Sequence, residues 1–166
     1  MNKHFLLCGG AGFIGRHLAT ALLKKPDTIV TVADVDTPHP TLRGRLEYVE
    51  ADVRYPLTFE PARPVTTLVN LAAVHRTPGH DEHEYHETNE AGASNIVDFC
   101  RRQDVASVWF TSSIAVYGPS EEPRTERSPL APNTAYGRSK LAAENTHSAW
   151  AMEDSERKLV TVRPGA

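Results

Sequence analysis

The fold is decided by a glycine-rich turn, Gly-Gly-Ala-Gly-Phe-Ile-Gly at residues 9–15, which directly follows the apolar run 5–8. Gly9 permits a tight turn after a strand, because glycine adopts positive φ angles without strain. Gly12 lets backbone N–H groups approach an anion at the start of a helix, and Gly15 lets that helix lie close to the strand. A strand before the glycines and a helix after them are the setting of a dinucleotide-binding turn, so we expect residues 9–15 to hold a pyrophosphate.

Short apolar or β-branched runs recur along the chain and are separated by helical segments or loops rather than by two-residue hairpin turns. This order is typical of a parallel sheet with crossover helices. The sequence therefore predicts an α/β protein with a Rossmann-type, doubly wound parallel sheet of about six strands. The predicted strands are residues 5–8, 29–33, 46–49, 67–71, 108–111 and 159–162.

Helices are predicted between these strands over residues 13–25, 85–102 and 135–152. Prolines in residues 54–64 and 119–133 exclude regular helices there, so both segments are expected to be loops. The apolar periodicity of the first helix predicts a buried face formed by Ile14, Leu18, Ala21 and Leu22.

An acid lies at the end of the predicted second strand, at Asp34. A carboxylate here accepts hydrogen bonds from both hydroxyls of an adenosine ribose, and its charge repels the 2′-phosphate of NADP. No Arg or Lys follows before Arg43, so the sequence favours NAD as the cofactor. Asp34 also suits a strand-terminating turn. Asp52 and Val53, after the third strand, are likewise open to an adenine-binding role or a turn role.

A serine, a tyrosine and a lysine form the candidate catalytic group. Tyr136 and Lys140 are four residues apart on the predicted helix 135–152, so their side chains emerge on the same face. An ammonium group beside a phenol favours the phenolate, which makes Tyr136 a candidate base near neutral pH. Ser113 follows the predicted fifth strand, where open α/β sheets bind ligands, and its hydroxyl can hold a substrate oxygen.

These motifs occur in the order and spacing of the short-chain dehydrogenase/reductase superfamily, and the whole chain resembles its extended branch, the NAD-dependent epimerase/dehydratase family. The resemblance implies that Ser113 anchors a nucleotide-sugar substrate, that Tyr136 is the acid/base and that Lys140 binds the nicotinamide ribose. The cofactor-binding residues that it implies are Gly9, Gly12, Phe13, Ile14, Gly15, Asp34, Asp52, Val53, Leu71, Ala72, Ala73, His75, Asn89, Tyr136 and Lys140.

The residues after Ser113 discriminate between reactions within this family. Its dehydratases have an Asp-Glu pair immediately after the matching serine, whereas this chain has Ile114 and Ala115. The pattern resembles a UDP-glucose 4-epimerase instead, in which Tyr136 would remove the 4-hydroxyl proton of the sugar while hydride passes to NAD and back. The same residues also resemble the family's threonine dehydrogenases. A NAD-dependent alcohol dehydrogenase and a non-catalytic dinucleotide-binding module therefore stay open as alternatives.

Composition and charge disfavour several other classes of protein. The chain has 166 residues, 40% of them apolar, and a formal net charge of −3. These values predict one globular NAD-binding domain over residues 1–166 and disfavour nucleic acid as a partner. The apolar runs are too short for a membrane span or a signal peptide, so a cytoplasmic location is expected. Cys8 and Cys100 are far apart in the chain and predict neither a disulfide framework nor a metal site.

Four histidines lie between the predicted fourth and fifth strands, at His75, His80, His83 and His86. The last three are three residues apart and diverge around a helix, so we expect no bound metal. The family resemblance further implies a homodimer through the helices 85–102 and 135–152. Full-length relatives continue into a C-terminal substrate region that is missing here, so this chain is expected to bind NAD with weak or no turnover by itself.

Overall fold

The centre of the molecule is a six-stranded parallel sheet. A computed structural model describes residues 3–75 and 79–165 of the chain. The strands are β1 (Lys3–Cys8), β2 (Thr28–Asp34), β3 (Glu47–Glu50), β4 (Thr67–Asn70), β5 (Ser107–Thr111) and β6 (Lys158–Val162). Their order across the sheet is β3-β2-β1-β4-β5-β6, and every pair of neighbours is parallel. The predicted α/β, Rossmann-type architecture is confirmed.

The helices connect these strands over the segments α1 (Phe13–Leu22), α2 (Glu82–Tyr85), α3 (Gly92–Arg102) and α4 (Ala135–Met152). The predicted helix 135–152 is confirmed at both ends. The predicted helix 85–102 was wrong in its start and its regularity, because α2 begins at Glu82 and a π-helical turn over His86–Ala91 joins it to α3. Residues 54–64 and 119–133 contain no helix or strand, as predicted.

The first helix differs from the prediction in its end and in its buried face. It ends at Leu22 instead of residue 25, and the predicted face residues Ile14 and Ala21 are exposed. The physical reason is the close contact between the helix and the glycine turn. A Cβ atom on Gly15 would lie 2.4 Å from Gly10 O, so the side that contains Gly15 is the side held against the sheet. The residues buried on that side are Gly15, Ala19 and Leu22.

The register of the sheet brings the ends of three strands to one edge. Cys8 of β1 pairs with Ala33 of β2 and with Asn70 of β4. The Gly9 N–H donates to Ala33 O at 2.9 Å, and the Leu71 N–H donates to Cys8 O at 2.8 Å. The chain leaves one half of the sheet after β3 and enters the other half at β4, and open α/β sheets bind ligands at such a switch point.

Apolar side chains cover both faces of the sheet, which explains why the central strands are nearly continuous apolar runs. Successive residues of β1 point to opposite faces. Leu6 belongs to a cluster with Phe99 of α3 and Trp150 of α4. Leu7 belongs to a second cluster that includes Leu22 of α1. The helices on the two faces therefore hold the sheet rigid beneath the edge where the loops meet.

Candidate active site

A cavity of about 880 Å³ opens at the carboxyl ends of β1, β2, β4 and β5. Its volume lies within the range that proteins use for small molecules and cofactors. Most of the predicted site residues line it, and Asn89 does not. Those that do are Gly9, Gly12, Phe13, Ile14, Gly15, Asp34, Asp52, Val53, Leu71, Ala72, Ala73, His75, Ser113, Tyr136 and Lys140.

The cavity also has lining residues that the sequence did not single out. Asp36 and Arg54 closely follow predicted residues, so their position in the same loops was a usable signal. Glu84 of α2 and Thr88 of the π-helical turn also line the cavity. They carry no local signal, because only the packing of the connection between β4 and β5 against α4 brings them to this side of the molecule.

The glycine turn is shaped by two close backbone contacts. Gly9 has a φ of +77°, and a Cβ atom there would lie 2.4 Å from Ala72 N. Gly15 contacts the turn itself, as described above, and so holds α1 against the turn rather than directly against the strand. A Cβ atom on Gly12 would meet Gly9 O at 3.6 Å, an ordinary contact distance, so the protein itself does not require glycine at this position.

The amino end of α1 is open towards the cavity. Gly12 is the N-cap and has no side chain to satisfy the first N–H groups of the helix. Phe13 is 76% exposed and Ile14 is 51% exposed. Free N–H groups and the helix dipole together form an anion-binding site. The geometry of this helix end therefore suits a phosphate or pyrophosphate.

Asp34 is bound to the glycine turn and also faces the cavity. Its Oδ2 accepts a hydrogen bond from the Ala11 N–H at 2.8 Å, and its Oδ1 accepts one from the Asp36 N–H at 3.1 Å. Asp34 therefore stabilises the turns that follow β1 and β2, which is the structural role that the sequence left open. Each carboxylate oxygen keeps a further lone pair, so these bonds leave Asp34 able to accept from a ligand hydroxyl.

Asp52 forms an exposed ion pair with Arg54, whose Nη2 lies 2.6 Å from Asp52 Oδ2. The hydrogen bonds from Arg54 lower the pKa of Asp52, so this acid carries a negative charge at neutral pH. Val53 is fixed by a different contact, because its carbonyl oxygen accepts from Asn95 Nδ2 at 2.8 Å. Asp52 and Val53 thus line one end of the cavity, and each is held by a hydrogen-bonded partner.

Ser113 and Tyr136 meet where the loop after β5 contacts the start of α4. Ser113 Oγ accepts from the Ala115 N–H at 3.1 Å, and its hydroxyl lies near enough to Tyr136 to lower the pKa of the phenol. A Cβ atom on Gly137 would lie 2.6 Å from Ala115 O. Glycine at 137 is therefore what lets α4 approach this loop, and sequence reasoning missed it because the contact joins two distant segments.

The pKa values of the tyrosine and the lysine differ from the sequence-based expectation. Burial raises the pKa of Tyr136, while the hydrogen bond from Ser113 acts in the opposite direction. Burial also lowers the pKa of Lys140 to about 7, although Glu144 favours the charged form. The expected lowering of the Tyr136 pKa by Lys140 is therefore wrong for the cofactor-free chain. Both side chains lose water, and each is driven towards its neutral form.

A buried ionic network lies behind Ser113. The adjacent Ser112 donates to Glu144 Oε1 at 2.5 Å, and Arg163 Nη2 lies 2.6 Å from Glu144 Oε2. Arg163 also donates to the Tyr117 hydroxyl at 2.6 Å. These bonds tie α4 to the segments that follow β5 and β6, so the loop carrying Ser113 is held from below.

Asn89 supports the wall of the cavity from behind. It is buried, its Oδ1 accepts from the Val74 N–H at 3.0 Å, and its Nδ2 donates to Val74 O at 3.1 Å. Nδ2 also donates to Ser139 Oγ at 2.8 Å. In the structure this asparagine therefore fixes the loop after β4 and does not itself reach the cavity.

The histidines and cysteines occupy separate places. His80 pairs with Glu84 at 3.1 Å and His86 pairs with Glu90 at 2.7 Å. Over residues 3–75 and 79–165, no group of three or more His, Cys, Asp or Glu side chains is placed to hold a metal ion. Both cysteines are buried, and burial raises the pKa of Cys100 to about 12.

The helices of the described segments are all too short or too polar to cross a membrane.

The sheet order, the glycine turn at the switch point and the open helix end define a Rossmann-type protein with a dinucleotide-binding turn. Residues 5–166 match the NAD dependent epimerase/dehydratase family, and the chain belongs to that family. Over 99% of its length it is 31% identical to N-acetyl-alpha-D-glucosaminyl-diphospho-ditrans,octacis-undecaprenol 4-epimerase of Escherichia coli O157:H7, of which it covers 49%.

Solved structures of epimerases have the same fold. The UDP-Glc/GlcNAc 4-epimerase from Campylobacter jejuni superimposes with a TM-score of 0.87 at 27% identity, over 98% of this chain and 53% of that one. The UDP-glucose 4-epimerase from Brucella ovis in complex with NAD superimposes with a TM-score of 0.82 at 28% identity, over 97% of this chain and 51% of that one. The chain thus spans about half the length of the relatives it matches.

Proposed function

We propose that residues 1–166 form the cofactor-binding part of a NAD-dependent nucleotide-sugar epimerase-type oxidoreductase with a Ser113-Tyr136-Lys140 site. The observation that carries this proposal is one cavity lined by the glycine turn and by all three of these side chains. Family membership and the similarity to 4-epimerases support the same reaction class.

The cavity fits NAD in several respects. The open amino end of α1 would hold the pyrophosphate, and Asp34 would accept from the adenosine ribose. Asp52 and Val53 would contact the adenine, and the loop after β4 would lie beneath the cofactor. Lys140 would donate to the nicotinamide ribose. The uncapped start of α1 suits the pyrophosphate that NAD and NADP share. The absence of a cationic partner for Asp34 among the described residues supports NAD over NADP.

The chain's own residues would carry out the proton transfer. Ser113 would hold the reacting sugar oxygen, and Tyr136 would take the proton of the sugar hydroxyl and later return it. NAD, when bound, supplies a hydride acceptor and a positive ring that favours the Tyr136 phenolate. Lys140 would add positive charge in the fraction of molecules in which it is protonated. Because burial keeps Tyr136 protonated in the free chain, its base function depends on these positive charges.

Epimerisation is favoured over dehydration by the residues beside Ser113. Ile114 is about half exposed and lines the cavity. Ala115 follows it and contributes backbone atoms to the contacts with Ser113 and Gly137. Neither residue supplies the proton donor and acceptor that the removal of water requires. A 4-epimerase needs no such pair, since one tyrosine takes and returns the same proton.

Ligand titrations and turnover assays test the proposal. Isothermal titration with NADH and NADPH should give binding of NADH and much weaker binding of NADPH. Interconversion of UDP-glucose and UDP-galactose, together with oxidation of threonine, then separates the reaction classes. Threonine-dependent formation of NADH would favour an alcohol dehydrogenase. Binding with little or no turnover is expected of residues 1–166 by themselves, so the same assays on a longer form of the protein separate an epimerase from a non-catalytic module. A chain that binds neither dinucleotide would overturn the proposal.

A homodimer and a cytoplasmic location are part of this proposal. α3 and α4 pack side by side through Ala93 and Ala143, which lie in one buried cluster. Their outer surfaces present small and polar residues, such as Ser94 and Asn145, that would let a second copy approach closely. Sedimentation equilibrium should give twice the mass of one chain, and a monomer at all concentrations would remove the dimer from the proposal.

A further inference from the structure

Beneath Lys140 lies a buried group of side chains that the proposed function does not use. It consists of Asn70 at the end of β4, Phe110 in β5 and His147 in α4. His147 is fully buried, and Phe110 and Asn70 are nearly so. Burying an imidazole and an amide costs free energy unless hydrogen bonds replace those lost to water. The hydrogen-bond partners of His147 and Asn70 therefore indicate what these side chains do.

The hydrogen bonds of His147 define its protonation state. One ring nitrogen, Nδ1, lies 2.6 Å from Ala143 O, which can only accept, so Nδ1 carries the proton. The other, Nε2, lies 3.4 Å from Asn70 Nδ2, which can only donate. His147 is therefore a neutral ring anchored at both nitrogens. Burial and the charge of Lys140 lower the pKa of His147 to about 4, which agrees with this neutral form.

This anchored ring supports Phe110, and Phe110 supports Lys140. The rings of Phe110 and His147 are stacked, with centroids 4.5 Å apart and planes 14° apart. Lys140 Nζ lies 4.3 Å from the centroid of Phe110, within the range of a cation–π contact. Within the described part of the chain, no hydrogen bond holds the Lys140 ammonium group. Its position therefore depends on the aromatic face below it.

We infer that His147 is a positioning residue, which holds the Phe110 ring flat beneath Lys140 and so directs the ammonium group towards the cavity. The inference deepens the proposed function and rests on it for the role of Lys140 towards the cofactor. A leucine of similar size would fill the space but would not be oriented by hydrogen bonds. A permanently charged side chain would repel Lys140.

Few ionisable groups surround Lys140, so the pKa of Lys140 can report on its contact with the Phe110 ring. Among residues 3–75 and 79–165, the ionisable groups that interact electrostatically with it are Glu144 and His147, both on α4. Arg163, which follows β6, is bound to Glu144, while Phe110 and Asn70, from the neighbouring strands, are uncharged. Loss of the aromatic face would remove a contact that favours the ammonium form, so the pKa of Lys140 should fall.

The test is lysine-selective NMR of the Lys140 side chain as a function of pH. The other lysines, Lys3, Lys24, Lys25 and Lys158, are all exposed, so the buried signal is assigned by its loss in Lys140→Met. His147→Ala should lower the pKa of Lys140 by about one pH unit, the order of magnitude of a buried cation–π contact. In a Phe110→Leu background, His147→Ala should have no further effect, because Phe110 transmits the influence of His147.

His4 provides a matched control for the loss of a buried histidine. It is almost fully buried at the opposite end of β1 from the cavity, and it bonds to Thr31 Oγ1 at 2.8 Å and Arg63 O at 3.1 Å. His4→Ala should leave the pKa of Lys140 unchanged at a similar loss of stability. If His147→Ala does not fold, His147→Gln keeps hydrogen-bonding groups without the stacked ring and should give the same fall in pKa.

Three results would overturn the inference: an unchanged Lys140 pKa in the folded His147 variants, an equal fall in His4→Ala, or an undiminished effect in the Phe110→Leu background. NADH titration of the same proteins distinguishes failure of the positioning role of His147 from failure of the proposed function. A fall in the Lys140 pKa in a chain that does not bind NADH would refute the proposed function alone. Equal NADH binding with an unchanged Lys140 pKa in all variants would refute the positioning role alone.

Discussion

The carboxylate of Glu144 and the guanidinium of Arg163 form a two-point ion pair, with Nη2–Oε2 at 2.6 Å and Nε–Oε1 at 2.8 Å. Both side chains are largely shielded from water, and Ser112 donates to the same carboxylate. The pair links the middle of α4 to the segment after β6. It also places a negative charge near Lys140, where it favours the ammonium form.

Glu144→Gln should therefore destabilise the chain, because it leaves the Arg163 charge without its partner. Breaking one side of a buried ion pair costs about 3 kcal/mol. Urea denaturation measures the change in the free energy of unfolding. Glu153→Gln is the control, since Glu153 pairs with Arg101 and Arg157 at the surface and its loss should cost far less. Equal losses in the two variants would contradict the importance of the buried pair.

Gly9→Ala should destabilise the glycine turn and weaken NADH binding by tenfold or more, on the order of 1–2 kcal/mol. The new Cβ atom would lie 2.4 Å from the backbone nitrogen of Ala72. Gly44→Ala is a matched control, because Gly44 has nearly the same φ, +72° against +77°, but nothing within 4 Å of the new atom. Calorimetric titration with NADH should give wild-type affinity for Gly44→Ala, and a similar loss in both variants would show that strain alone is responsible.

The stability of the chain should depend on pH through Lys140. Its pKa is about 7 in the folded chain and 10.5 as a free side chain. Between these values the unfolded chain binds more protons, so this group makes the folded state more stable as pH rises from 7 to 10. The slope is at most about 1.4 kcal/mol per pH unit.

Comparison with Lys140→Met isolates this effect. Cys8 and Cys100 have raised pKa values and contribute a loss of stability at high pH in both proteins. The free energy of unfolding of the wild type relative to Lys140→Met should therefore increase between pH 7.5 and 9.5. A constant difference across this range would mean that Lys140 titrates normally in the folded chain.

In a longer, catalytically competent form of the protein, Tyr136→Phe should lower kcat of epimerisation by roughly 10²- to 10⁴-fold, because the reacting proton loses its acceptor. NADH affinity should change little, since the ring remains in place. Tyr55→Phe is the control, because Tyr55 is exposed and does not line the cavity. An unaltered rate in Tyr136→Phe would remove Tyr136 from the mechanism.

Much of the fold was predictable because its signals are local. The glycine turn, the acid at Asp34 and the alternation of strands and helices depend on neighbouring residues, and the sheet follows from them. The buried face of α1 was not predictable in this way. The apolar periodicity predicted that Ile14 and Ala21 are buried. In the structure the close contact between Gly15 and Gly10 fixes the rotation of α1 about its own axis, so a different side of the helix is buried.

The sequence predicted which residues form the candidate site better than it predicted their pKa values. All the predicted site residues except Asn89 line the cavity, and they make up about half of its lining. The motifs did not identify Glu84 or Gly137, which enter through contacts between distant segments, and they placed Asn89 on the cofactor side. The pKa of Tyr136 was expected to fall and instead rises, because burial outweighs the influence of its neighbours.

The sequence by itself determined the succession of strands and helices along the chain, the dinucleotide-binding turn and the Tyr136–Lys140 spacing. Each of these depends on backbone preferences and helix geometry over a few residues. Only the tertiary structure decided the electrostatic state of the site. Loss of water and contact with Phe110, Glu144 and Ser113 set the ionisation of Lys140 and Tyr136. These contacts form only when β5, its following loop and α4 pack together.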